Sequence, residues 1–312
     1  MSTPKQQWRH HYVPEMLLKR FEDDSGLLHI IDRVRNVRRP ADKARNVGFS
    51  RDFYRLEERP DGNAVEDALA TLEAEAAPII DRIVDTRTVP ASNADWLVLM
   101  NFVAIQAARV PATKRLITRP IRREREIIAD MIRHDPRLYK RNAHVLGIDP
   151  EAVSYNEFLG MTDTDLAAPV STEEFVLSAM SIAKPILKSI NRRLWTVIHS
   201  DEPGEHFVIS DDPVVLYWSD GVRRRLPPGY DHVDADVTIP LSSEVALVLT
   251  HPDFKVPDGG IRHQVARTNS KTIAASNHFI AAKSESFICY GSQGLVELSQ
   301  ITEPLAIPPL LI

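Results

Sequence analysis

The chain has a single cysteine, Cys289, among its 312 residues. One cysteine excludes an internal disulfide and any zinc site built from cysteine pairs. Cys289 lies in an apolar run with no electropositive neighbours, so we expect a buried apolar residue rather than a nucleophile. The N-terminus lacks the apolar segment of a secretion signal, and no apolar run approaches the length of a membrane span. We therefore expect a protein of the reduced cytoplasm without a membrane partner.

Several enzyme signatures are also missing. The sequence has no Walker loop, no GxGxxG after a strand, no GxSxG elbow, no HExxH and no CxxC pair. These absences count against nucleotide-driven motors, Rossmann oxidoreductases, serine hydrolases and zincins, and no nucleotide cofactor is expected. The region after Asp211 also lacks the acidic-x-Lys pattern of the common restriction-nuclease fold.

The composition is that of a globular protein, with 43% hydrophobic and 26% charged residues. The net charge of −5 conceals an uneven distribution. Residues 1–55 carry 12 Lys/Arg against 7 Asp/Glu, residues 109–141 carry 11 against 4, and the remainder is strongly acidic. Two basic regions on an acidic body predict contact with a polyanion such as nucleic acid. The alternative is that both are solvated helix faces, neutralised across the fold.

The hydrophobic pattern predicts an α+β fold. Helical spacing prevails to about residue 191, with a helix capped by Asn63 and a strongly apolar core helix after Ser92. Pro111 is expected to bend or interrupt the core helix just after Arg109, and Pro120 to break the basic helical segment that continues from it. Residues 33–55 show no clear period and are interpreted as an extended loop.

From Leu194 onward, short β-rich runs follow one another without crossover helices, which predicts an antiparallel or mixed sheet. We predict a further helix near 266–277 and a strand at 279–282. The expected organisation is a mainly helical region, 1–191, packed on a β-rich region, 192–312, in one compact unit. The oligomeric state is not indicated.

The first candidate site is the motif Arg9-His10-His11-Tyr12-Val13-Pro14. Two imidazoles precede a proline that can occupy the first turn of a helix, where backbone N–H groups also point. This is a place to hold a divalent metal (Mg, Mn or Zn) or an anion. The alternative is that His10 and His11 are partly exposed residues of an ordered N-terminal arm.

Four polar residues on two predicted helices form the second group. Glu66 and Glu73 are seven residues apart and thus share one helix face, although solvated glutamates are common. Gln106 and Arg109 are neighbours on the core helix, where a buried amide or guanidinium needs partners. They either form a structural network with the preceding helix or line an active pocket.

Ser210-Asp211-Asp212-Pro213 lies between two apolar strands. Pro213 restricts the backbone before it, which gives Asp211 the rigidity of a ligand or base, although the pattern is also that of an ordinary Asx turn. If His10, His11 and Asp211 converge with Glu66 or Glu73, they form a nitrogen and oxygen ligand set for a divalent metal.

The motif HHYVPEMLLKRF at 10–21 resembles the opening of the bacterial family called domain of unknown function 4238. Further similarity lies at Asn46-Val47, Asp52-Phe53-Tyr54, Glu66, Glu73, residues 106–111 and residues 207–213. Two departures are Val110, where threonine is expected, and Asp212, where asparagine is commoner. The resemblance implies a shared fold and a clustered polar site, and it carries no activity.

The leading hypothesis is a metal-assisted phosphodiester hydrolase acting on nucleic acid. His10 and His11 would be ligands or acid/base groups, Glu66, Glu73 and Asp211 carboxylate partners, and Gln106 and Arg109 would orient phosphate. A second hypothesis is a non-catalytic protein that binds nucleic acid or a partner protein, and a third is a defence-associated component that binds a small anionic signal. The residues expected to contact nucleic acid are Lys114, Arg115, Arg119, Arg122 and Arg123.

Overall fold

The computed structural model describes residues 9–56, 62–162, 170–200, 206–221, 224–254 and 263–291. In chain order the strands are β1 (Arg9–His11), β2 (Leu28–Asp32), β3 (Val37–Asp42), β4 (Phe49–Arg51), β5 (Leu194–His199), β6 (Ile209–Ser210), β7 (Val215–Trp218), β8 (Ala235–Pro240), β9 (Val245–Thr250), β10 (His263–Arg267) and β11 (Phe287–Tyr290). The helices are α1 (Glu15–Leu18), α2 (Ala64–Thr86), α3 (Asn93–Ala108), α4 (Pro111–His134), α5 (Tyr139–Asn142), α6 (Tyr155–Leu159), α7 (Thr172–Ile190) and α8 (Ser270–Lys283). The predicted α+β class is confirmed.

The chain forms two compact units, one of residues 1–111 with 180–312 and the other of residues 112–179. Within the first unit β2, near the start of the described residues, pairs with β11, near their end. The predicted organisation, a helical region 1–191 packed on a β-rich region 192–312, stays a prediction. Local periodicity reports secondary structure but not pairing between distant segments.

The larger sheet of the first unit has the strand order β10-β5-β9-β8-β7. Its neighbouring strands are antiparallel except for β10 and β5, which are parallel. Side chains of β5 and β8 are buried along their whole length. Burial on both faces agrees with the mostly apolar sequence of β5, whereas β8 also buries the polar residues Asp236 and Thr238.

A second sheet joins strands from both ends of the chain in the order β3-β2-β11-β6. Ile31 of β2 and Ile288 of β11 share a buried cluster with Ile280 of α8. The strand predicted at 279–282 is therefore wrong, because these residues are the last turns of α8. That helix begins after Asn269, whose side chain accepts a hydrogen bond from the Thr272 N–H at 3.1 Å. A short apolar run does not distinguish a strand from a buried helical turn.

The segment interpreted as an extended loop contains β3 and β4, and β4 pairs with β1 in a two-stranded antiparallel sheet. Gly48 closes this pair with φ +69°, and its carbonyl accepts the N–H groups of Tyr12 and Val13 at 2.9 and 3.1 Å. A Cβ at this position would come within 3.1 Å of the Val13 Cβ. Glycine is thus required both for the backbone conformation and for the close approach of the histidine motif.

The helices α2 and α3 supply the remaining polar candidates. The buried face of α2 includes Ile79, Ile80 and Ile83, and α3 begins at the predicted cap, where Ser92 accepts the Asp95 N–H at 3.1 Å. The chain breaks after α3 and resumes as α4 at Pro111. The predicted second break is wrong, because α4 continues through Pro120, an exposed residue, to His134.

The second unit has a small core of its own. Tyr139, Leu146 and Phe158 are buried together with Ile132 of α4. A capping box starts α6, in which the Ser154 and Glu157 side chains bond each other's backbone N–H groups.

Among the described residues no single helix is long and apolar enough to cross a membrane. Only the bent pair α3 and α4, taken together, meets the criterion of length and composition.

Candidate functional site

The pairing of β1 with β4 places the two histidines on opposite faces. Arg9 lies opposite Arg51, His10 opposite Ser50, and His11 opposite Phe49. Because side chains alternate along a strand, Arg9, His11 and their partners share one face and His10 takes the other. The ring contacts agree, since the Arg9 guanidinium lies 4.6 Å from the Phe49 ring centre and the His11 and Phe49 centroids are 5.8 Å apart.

His10 is an anchor inside the protein. Its side chain is fully buried, its Nδ1 accepts the Tyr54 N–H at 2.9 Å, and its ring stacks on that of Tyr54. Burial lowers the pKa of His10, so the ring is neutral, and a nitrogen that accepts a hydrogen bond carries no proton. The proton of His10 therefore resides on Nε2. In this tautomer neither nitrogen has a free lone pair for a metal, and the predicted ligand role of His10 stays a prediction.

His11 is half-buried and has the complementary tautomer. Its ring donates a hydrogen bond to the carbonyl of Arg45, and Nε2 has no hydrogen-bond partner within the described part of the chain. The donating nitrogen is therefore Nδ1, which leaves the Nε2 lone pair available. Burial lowers the pKa of His11 despite the nearby carboxylates of Glu15 and Glu73. His11 has the properties of a general base at neutral pH.

Glu66 lies directly beside His11. Its carboxylate accepts the backbone N–H of His11, and its Oε2 is buried without a partner among the residues described. Burial, followed by the negative charge of Glu73, raises the pKa of Glu66 to about 7. A carboxyl group with this pKa is protonated for part of the time at neutral pH and can donate a proton.

Glu73, Gln106 and Arg109 form a buried network of hydrogen bonds. Arg109, 4% exposed, donates from Nε to the Gln106 Oε1 at 2.9 Å and from Nη2 to the Glu73 Oε1 at 2.6 Å. Gln106, fully buried, donates from Nε2 to the Tyr12 carbonyl at 2.9 Å. The Tyr54 hydroxyl donates to the Arg109 carbonyl at 2.8 Å. We call His11, Glu66, Glu73, Gln106 and Arg109 the acid–base cluster.

The hydrogen bonds of Asp211 indicate that it stabilises the fold. It is 1% exposed at the end of β6, and its carboxylate accepts the backbone N–H groups of Glu285, Ser286 and Phe287 at 3.0 to 3.4 Å. Burial raises the pKa of Asp211, and the backbone N–H groups act in the opposite direction. Its oxygens therefore tie β6 to the start of β11.

Within the described ranges no group of three or more His, Cys, Asp or Glu residues is arranged to hold a metal ion. The predicted set of His10, His11 and Asp211 is therefore not among such groups in the described ranges. The three side chains have different environments. His10 is buried and neutral, His11 is half-buried beside Glu66, and the Asp211 carboxylate binds three backbone N–H groups. The requirement for a divalent metal stays a prediction for the assay described below.

The basic residues predicted to contact nucleic acid lie on α4. Lys114 is half-buried against Phe175, with its Nζ 4.9 Å from the ring centre, and burial lowers its pKa. Arg115 is also half-buried, and Arg123 pairs with Glu126 at 3.0 Å. Arg119 and Arg122 are exposed.

Sequence reasoning gave Tyr54 no role at the site and did not predict that Arg9 and Arg51 are cross-strand partners. Strand β1 has only three residues, which is too short for a period to be recognised. The one available signal was the pair of β-favouring segments around Gly48, which can be read as a glycine-containing turn between two short strands.

A family model described as "Protein of unknown function (DUF4238)" matches residues 9–294 of the chain. Neither a curated protein nor a solved structure matches it.

Proposed function

We propose, from the premise that this chain belongs to the DUF4238 family, that its histidine motif is the centre of a phosphodiester hydrolase acting on nucleic acid. The observation that carries the proposal is the juxtaposition of His11 and Glu66. Each presents a polar atom without a partner in the described part of the chain, namely Nε2 of His11 and Oε2 of Glu66. Other buried polar atoms of the described residues also lack a partner, but His11 and Glu66 are joined by a hydrogen bond, so one substrate could satisfy both.

The two groups have opposite proton states at neutral pH. Neutral His11 can accept a proton from an attacking water at Nε2, and protonated Glu66 can donate one to the leaving oxygen. The new bond joins phosphorus to the water oxygen, the bond to the leaving oxygen breaks, and one proton enters and one leaves the protein. Burial raises the pKa of Glu66 to about 7 and lowers that of His11, so an acid and a base are both present near neutral pH, as acid–base catalysis requires.

The preference for an anionic substrate is supported by the face on which His11 lies. Arg9 and Arg51 are cross-strand partners on that face, and like charges directly opposite each other destabilise a strand pair. A bound phosphate would neutralise both guanidinium groups in bidentate geometry. The Arg109–Glu73 ion pair, in contrast, has its charge already matched, so its function is to position Glu73 beside Glu66.

We also propose that the protein acts in the cytoplasm, where nucleic acid is accessible. A divalent metal would take part in the reaction and would enter with the substrate rather than be held by three protein ligands.

The experiment is cleavage of labelled single- and double-stranded DNA and RNA with magnesium, with manganese and with a chelator. The wild type should cleave at least one substrate. His11→Ala and Glu66→Gln should each lower the rate by about 100-fold or more, the usual contribution of a general acid or base. Cleavage that persists in His11→Ala would refute the assignment.

Matched controls are present in the chain. Glu75→Gln removes an exposed carboxylate from the same helix as Glu66, and His144→Ala removes an exposed imidazole from the second unit. Both should cleave at the wild-type rate. Loss of activity in either one would show that the assay responds to general damage rather than to the proposed chemistry.

A second candidate, non-catalytic binding of nucleic acid, is favoured by the exposed Arg119 and Arg122 on α4. Under this candidate, duplex would bind with steep salt dependence and remain intact in every metal condition. Arg119→Gln/Arg122→Gln would weaken binding, whereas His11→Ala would not.

A further inference from the structure

The edge of the smaller sheet carries a concentrated positive charge. β3 is the outer strand, paired only with β2 in that sheet, and the turn between them bends at Asn36 with φ +54°. The segment 33–39 reads Arg-Val-Arg-Asn-Val-Arg-Arg. Its arginines at 35, 38 and 39 are exposed. We call residues 33–39 the arginine edge.

The arginine edge itself contains no acidic residue. The nearest acidic residues in sequence are Asp32, whose carboxylate accepts the Arg35 backbone N–H at 2.9 Å, and Asp42, whose pKa is lowered by a side-chain hydrogen bond and in part by the charge of Arg39. Arg38 lies opposite Ile31 and Arg39 opposite Ile30, so consecutive guanidinium groups leave the strand on its two faces. The outer strand thus presents positive charge on both faces of the sheet edge.

The apolar residues of this segment are exposed as well. Val34 is 80% exposed and Val37 46%. Two exposed valines interleaved with arginines make no contribution to the core. On a bound nucleic acid, such valines would be free to contact the sugars while the guanidinium groups contact phosphate.

The chemistry of the edge selects among possible partners. Pro40 lies on the exposed outer strand and cannot donate a hydrogen bond to an added strand, so recognition of a partner protein by sheet extension is disfavoured. Residues 33–48 contain no aromatic side chain, whereas proteins that hold single strands stack the bases on aromatic rings. What remains is contact with a regular array of phosphates, as in a duplex.

We propose that the arginine edge binds the phosphate backbone of double-stranded nucleic acid. The inference deepens the proposed function and rests on it for the identity of the substrate. It assigns substrate docking to a sheet edge and acid–base chemistry to the β1–β4 strand pair. The two elements can therefore be tested separately.

The test is the binding of a fluorescent 20-base-pair duplex in chelator, followed by anisotropy over a range of salt concentrations. The variant Arg35→Gln/Arg39→Gln should bind about tenfold more weakly, and the slope of log affinity against log salt should fall by about 2. The control is Lys184→Gln/Lys188→Gln, which removes two exposed charges from α7. An unchanged duplex affinity in the arginine variant, or an equal loss in the lysine control, would overturn the inference.

Two competing ligands test whether the arginine edge prefers duplex. A single strand of the same length and a vesicle containing anionic lipid are offered to the same variants. Stronger binding of either ligand than of duplex, with dependence on Arg35 and Arg39, would overturn the assignment to duplex.

Failure of docking and failure of the proposed function are distinguishable with a small chromogenic phosphodiester. The arginine variant should hydrolyse the small diester at the wild-type rate and duplex more slowly, whereas His11→Ala should hydrolyse neither. Absence of hydrolysis in the wild type, combined with weaker duplex binding in the arginine variant, would refute the hydrolase and retain the docking edge. Normal duplex binding in that variant would refute the edge, whatever the hydrolysis result.

Discussion

The backbone N–H of His11 donates a hydrogen bond to the carboxylate of Glu66. The bond joins two residues that lie far apart in sequence, His11 on β1 and Glu66 on α2. Burial and the negative charge of Glu73 raise the pKa of Glu66, whereas this bond lowers it.

The first prediction concerns the pH dependence of hydrolysis. Glu66 must be protonated to act as an acid, and its pKa is about 7, so kcat/KM should decline as the pH rises through about 7. His11 must be neutral, and because burial lowers its pKa, activity should fall only below pH 6.5. A bell-shaped profile measured on duplex is expected. A rate that increases steadily above pH 8 would contradict the roles of both residues.

The second prediction separates function from stability at Glu66. The folded pKa is raised above the unfolded value, so this carboxyl group favours folding at low pH and the benefit is lost as the pH rises through about 7. Glu66→Gln should therefore unfold at the same or a higher urea concentration than the wild type at pH 8 while losing hydrolysis. A variant that is both less stable and inactive would indicate a structural role instead.

The third prediction concerns His10, whose Nδ1 accepts the Tyr54 N–H. The side-chain oxygen of asparagine can take the place of Nδ1, whereas glutamine places its polar atoms near Nε2. His10→Asn should thus keep most of the stability, and His10→Ala should lose about 1 to 3 kcal/mol because a buried donor is left unpaired. Urea denaturation measures both.

A metal role for His10 predicts the reverse order. A metal bound through Nε2 would be retained better by glutamine than by asparagine, and metal content measured by mass spectrometry would follow the same order. Metal content that depends on His10 in this way would overturn the assignment of His10 as an anchor.

The fourth prediction concerns the buried ion pair of Arg109 and Glu73. Arg109→Leu leaves the Glu73 carboxylate and the Gln106 amide without their partner and should cost about 3 kcal/mol or more of folding free energy. Arg109→Lys should not restore it, because a lysine cannot reach two partners at the angles of a guanidinium fork. The matched control is Lys140→Ala, which breaks the exposed pair with Glu151 and should change stability by less than about 1 kcal/mol.

The sequence was sufficient for part of this site. Glu66 and Glu73 were expected to share a face from their spacing, and the charge of Glu73 does act on Glu66. Gln106 and Arg109 were expected to need partners on a buried helix, and they bond each other. Both inferences depend only on helical geometry, which acts over a few residues.

Long-range pairing determines the rest. His10 and His11 looked equivalent in the sequence, yet strand alternation in β1 puts their rings on opposite faces. The His10 ring is fully buried and accepts the Tyr54 N–H at Nδ1, whereas the His11 ring is half-buried. Asp211 looked like a base, yet three N–H groups about 75 residues away bind its carboxylate. Neither outcome follows from spacing, because each depends on which strands pair.

The last prediction concerns Asp236 on β8, which lies opposite Tyr217 of β7 and far in sequence from His11 and Glu66. Asp236 is 4% exposed, and burial raises its pKa to about 6. Below about pH 4 both the folded and the unfolded protein hold the proton. As the pH rises through about 6, Asp236 loses its proton in the folded state as well, and the stabilisation that the protonated carboxyl group gives the folded state is lost. For a shift of this size the loss is up to about 3 kcal/mol. Asp236→Asn should therefore match the wild type at pH 4 and exceed its stability at pH 7, whereas Asp231→Asn, at an exposed aspartate, should show no such difference. A uniform loss of stability in Asp236→Asn at both pH values would mean instead that the ionised carboxylate is needed by its surroundings.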